Sequence, residues 1–359
     1  MDHENNKNIL MKGRRRFLFQ LSALTACSLS SLRKSYAAPL TGLEKSRVSF
    51  VTSSDTRDAA IRSLEPFRDE IREAIGNKQV VIKANIGALR EGHYCCATDV
   101  NQLRGILDFL KPIYNRKVII AEGCSTIPEP EEVFYKKLGY MSLPDEYNVQ
   151  LIDANHQPVT TKFILSEKHH PLEIDIINTY LDPTNYIISA TRLKSHGAVI
   201  ATLSLKNVSM GSPVARYWEI EDNENWRDKK KMHSGGSRGL SYNMFRLATY
   251  GVQPDLAVLD GVIGAEGEGP VMGDPIEHGV ALASTDWVAA DRLGVELMGV
   301  DYKYVKYIQW CANAGMGIDD LKKIEIIGPD YTKHIKKYRM RKNFDSQRVW
   351  VQEDFGYDQ

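Results

Sequence analysis

Cysteine is scarce in this sequence: the 359 residues contain five, and no two of them form a Cys-x-x-Cys pair. Such pairs supply ligands to ferredoxin-type iron–sulfur clusters and to structural zinc sites, so we expect neither kind of site. Cys95 and Cys96 are adjacent, which disfavours a disulfide between them. A disulfide from either residue to Cys124 or Cys311 stays open, as do four buried free thiols.

Long apolar runs and a net charge are also missing. No apolar stretch after residue 37 approaches the roughly 20 residues that a membrane-spanning helix needs, so no transmembrane span is expected. Lys and Arg together number 46, and so do Asp and Glu. Because no basic stripe stands out from this balanced background, nucleic acid is not an expected partner.

The first 37 residues have the pattern of an export signal. Arg14 and Arg15 precede Phe17, a short apolar run from 21 to 32 and a small-residue cleavage site ending at Ala37. This order resembles a twin-arginine signal peptide, which predicts the twin-arginine translocase as a partner and a periplasmic or other extracytoplasmic location. Residues 1–37 hold seven of the Lys and Arg residues and two of the acids, so the remaining chain carries a net charge of −5.

Cys27 allows a second interpretation of the same segment. Residues 24–27, Leu-Thr-Ala-Cys, resemble a lipobox, in which the Cys27 thiol would be acylated and would anchor a lipoprotein to the membrane. The apolar run before Cys27 is short and the site after Ala37 is well formed. The sequence therefore favours cleavage there and a soluble mature protein, with the anchored form as the alternative.

Short β-rich apolar runs alternate with helical patterns along the rest of the chain. This alternation predicts an α/β fold with a mostly parallel, doubly wound sheet. Two strand-like segments predict an antiparallel insertion near 160–180, and the polar stretch 223–239 predicts a long loop that serves as a lid or a binding loop. We expect a signal peptide at 1–37, one α/β domain at 38–333 and a charged tail at 334–359 anchored by Trp350 and Phe355. The predicted strands are 48–51, 80–82, 117–121, 150–153, 162–165, 173–177, 186–190, 256–259 and 280–283, and the predicted helices are 57–75, 100–110, 130–138 and 287–298.

Polar side chains follow several of these strands. Ligands of such sheets bind beyond the carboxyl ends of the strands, where Lys and backbone N–H groups could hold an anion. His and carboxylate groups there would serve proton transfer or a divalent metal. The expected ligand-binding residues are Lys83, Asn85, Lys194, Asp260 and Gly261, and the expected catalytic residues are His196, His233 and Glu266.

Each of these residues also has a structural alternative. The two lysines could be solvated, His196 could cap a helix, and His233 could be an ordinary surface residue. Asp260 precedes a glycine, as turn residues often do. Asp286 precedes the apolar run that begins at Trp287, which predicts that it caps that helix.

Several segments resemble the family catalogued as domain of unknown function 362. These are 81–85, 193–197, 203–207, 254–261, 266–270 and 284–291, with Ala84 where the family has proline. The resemblance implies the family's fold and a shared pocket that includes Lys206 and Asn207, but it implies no activity. The cluster cysteines of the family's iron–sulfur members are absent, so the resemblance does not extend to electron transfer.

Two functional hypotheses follow. The first is an exported enzyme that acts on a small anionic metabolite, with a divalent metal or another cofactor left open. The second is a non-catalytic extracytoplasmic protein that binds an anion or a cofactor. A pH-dependent rate with a substrate would favour the first hypothesis, and a tightly held, unchanged ligand would favour the second.

Overall fold

The computed structural model describes residues 45–87, 90–124, 131–219 and 228–352. The chain divides into the unit Met1–Pro39 and the unit Leu40–Gln359, and all described residues belong to the second. Arg14, Arg15, Cys27 and Phe355 lie outside the described residues.

The described residues contain eleven β-strands and eleven α-helices. The strands are β1 Ser46–Thr52, β2 Gln79–Lys83, β3 Val118–Glu122, β4 Val149–Asp153, β5 Val159–Leu165, β6 Pro171–Ile177, β7 Asn185–His196, β8 Ile200–Thr202, β9 Leu256–Glu268, β10 Met272–Ser284 and β11 Ile324–Ile327. The helices are α1 Thr56–Leu64, α2 Arg68–Ile75, α3 Val100–Leu110, α4 Glu131–Lys137, α5 Leu143–Glu146, α6 Ser204–Gly211, α7 Asp228–Lys231, α8 Gly236–Thr249, α9 Trp287–Leu297, α10 Lys306–Asn313 and α11 Phe344–Gln352.

Nine strands form one sheet in the order β11-β1-β10-β9-β7-β2-β3-β4, with β8 paired to β7. The run from β9 to β4 is parallel throughout. Each face of the sheet packs into its own core: Val80 and Ile82 belong to one cluster, and Val81 between them belongs to the other. The predicted α/β fold with a mostly parallel, doubly wound sheet is therefore confirmed. The separate antiparallel pair β5–β6 confirms the insertion near 160–180.

Two predicted elements differ from the structure. The helix expected over 57–75 is divided into α1 and α2 by a 3-10 turn at Glu65–Phe67, because Pro66 has no N–H to donate and its ring crowds the preceding turn. The loop expected over 223–239 contains α7 and the start of α8. Fully buried Met232 connects these two helices, so this Lys-rich stretch has a core anchor that its polarity concealed.

Strands β7 and β9 continue well beyond their apolar starts. β9 forms a hairpin with β10 in which Asp260 pairs with Ala281 and Glu266 pairs with Asp274. Residues 260–268, which were expected to follow a strand that ends at 259, are therefore β-structure. The glycines of β9 allow other side chains to pack closely against the strand. At Gly264, for example, a Cβ atom would lie 2.2 Å from the Tyr338 hydroxyl oxygen.

Helix starts are held by side chains from elsewhere in the fold. Asp286 accepts a hydrogen bond from the Ala289 N–H, which confirms it as the cap of α9. Asp291, also on α9, is fully buried and accepts hydrogen bonds from the Ser204 and Leu205 N–H groups at 2.8 and 3.1 Å. Since these are the first residues of α6, Asp291 fixes the start of that helix against α9.

Residues after 333 contact the body of the protein. Tyr338 is buried, and the Trp350 and Trp310 rings lie 6.1 Å apart. No helix in the described ranges combines the length and apolar character needed to cross a membrane. Cys95, Cys96, Cys124 and Cys311 carry free thiols.

Candidate functional site

A cavity of about 410 Å³ lies beyond the carboxyl ends of β2, β3 and β7. The parallel order of these strands brings their last residues to the same edge of the sheet. Helix α6 adds Lys206 and Asn207 from the side. The buried part of the cavity wall consists of Lys83, Asn85, Glu122, Lys194, His196, Lys206, Asn207 and Lys229.

Lys83 and Glu122 form a buried ion pair at the base of the cavity. Their Nζ and Oε1 atoms are 2.7 Å apart, and the side chains are 1% and 2% exposed. Burial opposes the charge on Glu122, but attraction by Lys83 and Lys229 outweighs it and lowers the Glu122 pKa. The Ile86 N–H donates to the same carboxylate at 2.7 Å. This pair is therefore a fixed part of the wall.

Lys194 is also fully engaged. Its ammonium donates to Asn85 Oδ1 at 2.6 Å, to the Cys96 carbonyl at 2.5 Å and to the Pro270 carbonyl at 3.2 Å. An ammonium group has three N–H donors, so all of them have acceptors. Burial lowers the Lys194 pKa to about 8. Lys194 thus contributes positive charge to the cavity while its protons hold neighbouring segments together.

Lys206 differs from these two lysines. Its side chain is 8% exposed and lines the cavity, yet within the described ranges its ammonium has neither a hydrogen-bond acceptor nor an ion-pair partner. Burial, with repulsion from Lys194 and Lys83, lowers the Lys206 pKa to about 7. A buried cation without a partner is costly unless something else compensates it. Lys206 is therefore the wall residue most in need of a ligand.

His196 is held neutral by the turn that follows it. Its Nδ1 accepts hydrogen bonds from the Ala198 and Val199 N–H groups at 2.9 and 3.3 Å, which places the proton on Nε2. Burial and the charge of Lys206 hold the His196 pKa well below its ordinary value. The same turn includes Ile200 with φ of 73°, a rare conformation for a β-branched residue. His196 therefore presents an Nε2–H donor to the cavity.

The outer wall is basic and closely packed. Arg90, His233 and Arg341 line it, and the Arg341 Nε lies 2.8 Å from Glu268 Oε2. Gly197 leaves room for this arginine, because a Cβ there would lie 2.1 Å from Arg341 Nη1. Within the described lining, Glu122 is the one carboxylate, against six Lys and Arg side chains. The cavity therefore has a strongly positive wall.

The structure brings together seven of the ten residues expected at the site: Lys83, Asn85, Lys194, His196, Lys206, Asn207 and His233. The side-chain amides of Asn85 and Asn207 connect Lys194 to Lys83. Asn85, which accepts from Lys194, donates its Nδ2 to Asn207 Oδ1 at 2.9 Å, and Asn207 Nδ2 donates to the Lys83 carbonyl at 2.9 Å. Their roles in binding or catalysis stay predictions, but their common location now rests on geometry.

Asp260, Gly261 and Glu266 were expected at this site and do not line the cavity. Asp260 is buried and lies 3.7 Å from Arg192 Nε, and burial raises its pKa to about 6. Gly261 packs closely against Leu193. Glu266 accepts a hydrogen bond from the Arg339 N–H at 2.8 Å. The prediction that these three residues belong to the shared site is therefore wrong. Their strand, β9, continues past the cavity instead of ending there.

Four charged wall residues were not among the expected site residues: Arg90, Glu122, Lys229 and Arg341. Glu122 directly follows the predicted strand 117–121, so its position was a usable indication. Lys229, which donates to the Gly123 carbonyl, lies in the segment taken for a loop. Arg341 belongs to the segment taken for a surface tail. In the described parts of the chain, no group of three or more His, Cys, Asp and Glu side chains is placed to hold a metal ion.

Together, the fold and the site define an α/β protein with a basic cavity at the carboxyl edge of its parallel strands. Residues 80–296 match the family described as Domain of unknown function (DUF362), and the chain belongs to that family. The family resemblance noted in the sequence is therefore confirmed.

Other similarities are more distant. The thylakoid-associated protein sll1697 of Synechocystis sp. is 29% identical over 117 residues, which are 32% of this chain and 33% of that protein. The chain thus matches about a third of that relative's length. The lactate racemase apoprotein from Thermoanaerobacterium thermosaccharolyticum shares 15% identity with a TM-score of 0.40, covering 72% of this chain and 58% of its own. A structural-genomics protein from Thermotoga maritima shares 12% identity with a TM-score of 0.38, covering 74% and 60%.

Proposed function

We propose that the cavity binds a small organic anion and that the protein is an enzyme acting on that anion. The observation that carries this proposal is Lys206, a buried cation without a partner among the described residues, in a wall with one carboxylate. That carboxylate, Glu122, is already paired with Lys83. An anionic ligand would supply the missing counter-charge, and a volume of about 410 Å³ suits a small metabolite.

Two wall residues favour catalysis over simple binding. Lys206, with a pKa of about 7, exists in both protonation states near neutral pH. Neutral His196 offers an Nε2–H to a polarised oxygen. Groups shifted in this way by burial and neighbouring charge are characteristic of acid–base sites. The alternative, a non-catalytic binding protein, needs the positive charge but gains nothing from a lysine that loses its proton at neutral pH.

Anion affinity should depend on pH through Lys206. Inorganic phosphate and succinate serve as probes in calorimetric titrations between pH 6 and 9. Because the neutral amine attracts an anion less than the ammonium does, affinity should be level below pH 7 and fall by up to about tenfold per pH unit above it. Lys206→Met should weaken binding at least about tenfold at pH 6.

The matched control is Lys322→Met, which removes an exposed lysine outside the cavity wall and should bind both anions as the unchanged protein does. Equal affinities for the unchanged protein and Lys206→Met would contradict the proposal. A separate experiment, native mass spectrometry of protein isolated after export, distinguishes a binding protein from an enzyme. A retained, unchanged ligand favours a binding protein, whereas turnover of that ligand with a bell-shaped pH profile favours an enzyme.

We also propose that the protein is exported through the twin-arginine pathway, on the strength of Arg14 and Arg15. Replacing both with Lys keeps the charge but removes the planar guanidinium groups, so the precursor should accumulate inside the cell. Fractionation with an antibody against the mature protein measures this. Undiminished export of the double variant would contradict the proposal. Cys27→Ala is the companion variant: it should leave a soluble exported protein unchanged and should release an anchored lipoprotein.

A further inference from the structure

We propose that Lys206 is a nucleophile that forms an imine with an anionic carbonyl compound of the 2-oxo acid class. This inference rests on the proposed function of the same cavity and specifies its substrate class and first covalent step. It explains why Lys206 has no partner among the described residues while Lys83 and Lys194 are fully bonded.

Imine formation requires an amine whose lone pair is available. Lys194 has an acceptor for each of its three protons, and the Lys83 ammonium contacts Glu122, Asn207 and the Ala84 carbonyl. Neither amine can release a proton without breaking these contacts. The Lys206 amine has no such bonds within the described residues and faces the cavity.

The backbone that carries Lys206 is well fixed. Asp291 accepts hydrogen bonds from the first two N–H groups of α6, and Asn207 bonds to the end of β2. Both contacts flank Lys206 in the sequence. A nucleophile on a fixed backbone loses little freedom on reaction, which is the condition for efficient covalent catalysis.

The surroundings of Lys206 favour its neutral form. The charged and titratable groups that act on it are Lys83, Lys194, Lys229, Glu122 and the neighbouring His196. Burial and the three cations lower the Lys206 pKa to about 7, so a substantial fraction of the molecules carries the free amine at neutral pH. An ordinary lysine would be neutral in roughly one molecule in a few thousand. Burial near other cations is a recognised way to activate a lysine nucleophile.

The step balances without any further reactant. The Nζ lone pair attacks the carbonyl carbon, and the C=O π electrons move to the oxygen, which accepts a hydrogen bond from the His196 Nε2–H. A proton passes from nitrogen to that oxygen, with His233 on the cavity wall as its carrier, giving a carbinolamine. A second proton then passes from the nitrogen to the hydroxyl oxygen of the carbinolamine. The oxygen departs as water and the C=N bond forms. The net change is amine plus carbonyl giving imine plus water.

The rest of the wall accounts for the anionic part of the substrate. In a 2-oxo acid the carboxylate is bonded directly to the reacting carbonyl carbon. The carbonyl group and the carboxylate must therefore be bound side by side. Lys206 and the other cations line the same cavity, so one site can hold both groups. Arg90 and Arg341 on the outer wall provide guanidinium groups suited to a carboxylate. This arrangement favours a short 2-oxo acid over a neutral ketone.

Reductive trapping tests the inference. The full-length protein is incubated separately with glyoxylate, pyruvate and 2-oxoglutarate at pH 7, sodium cyanoborohydride is added, and intact and peptide masses are recorded. We expect one reduced adduct per chain with at least one acid, located at Lys206, and a trapping rate that rises with a midpoint near pH 7. Lys206→Arg keeps a cation but cannot form the imine, so it should lose the adduct. Lys322→Arg, which changes an exposed lysine, should keep it.

The outcomes separate this inference from the proposed function. Calorimetric binding of these acids or of phosphate without an adduct overturns the imine and leaves anion binding intact. Binding of no anion overturns both. Adducts distributed over exposed lysines and unchanged in Lys206→Arg also overturn the imine. If Lys206→Arg fails to fold by circular dichroism, the pH midpoint of trapping in the unchanged protein decides: a midpoint near 10 indicates an ordinary lysine.

Discussion

Lys83→Met should lower the free energy of unfolding by about 3–5 kcal/mol, because it leaves the Glu122 carboxylate buried without its cation. Ile86 and Gly123 still donate their backbone N–H groups to Glu122, and Lys229 still attracts it, but none of them replaces the direct contact with a cation. Glu122→Gln should be similarly harmful, because it leaves buried Lys83 without a counter-charge. Urea denaturation at pH 7, followed by circular dichroism, measures both changes.

Two controls test whether the expected loss of stability comes from the burial of the ion pair and not from the loss of an ion pair alone. The double variant Lys83→Met/Glu122→Gln removes both charges and should recover part of the loss, giving a favourable coupling between the two sites. The pair Arg47–Glu70 has a similar separation, 2.6 Å, but its side chains are 45% and 42% exposed. Arg47→Met should therefore cost no more than about 1 kcal/mol. If Lys83→Met were no worse than Arg47→Met, the base of the cavity would not be held by this pair.

The parallel part of the sheet was predictable because each of its central strands contains a short run that is apolar on both faces. Val80, Val81 and Ile82 are all fully buried, as expected for a strand covered by helices on either side. The last residues of such strands could therefore be placed at one edge from the sequence alone. Lys83, Asn85, Lys194 and His196 were found in this way, and Glu122 follows the same logic.

The hairpin of β9 and β10 was not predictable by the same reasoning. Residues from Asp260 to Glu268 contain three glycines and three acids, a composition typical of loops. In the structure they continue as a strand because β10 supplies a partner along its length and Arg339 bonds to Glu266. Pairing between distant segments leaves little trace in local sequence. Asp260 and Glu266 were therefore assigned to the wrong place.

Arg341 and Lys229 illustrate the same limit. Each lies in a stretch whose charge and low apolar content predict a solvated surface. Each reaches the cavity because a neighbouring residue is anchored: Tyr338 is buried ahead of Arg341, and Met232 is buried behind Lys229. A single apolar residue among charged ones gives no periodicity to detect. Such contributions to a site become visible only when the chain is folded.

Lys206→Met should make the protein more stable while it weakens anion binding at least about tenfold. Met has a similar length and no charge, so the substitution removes a buried cation that has no partner among the described residues. Replacing buried ionic groups with well-packed apolar side chains is often neutral or adds about 1–4 kcal/mol to the free energy of unfolding, and we expect a gain here. Thermal and urea denaturation in anion-free buffer at pH 7 measure the gain. Added phosphate should stabilise the unchanged protein and not the variant.

The pH dependence of this gain tests its electrostatic origin. With a pKa of about 7 when folded and an ordinary value of 10.5 when unfolded, Lys206 binds more protons in the unfolded state throughout that interval. Stability of the unchanged protein should therefore rise with pH between 7 and 10.5, relative to Lys206→Met, and the advantage of the variant should shrink. An advantage independent of pH would mean that Met simply packs better. A loss of stability at pH 7 would mean that Lys206 is compensated within the protein, and the main argument for an anionic ligand would fail.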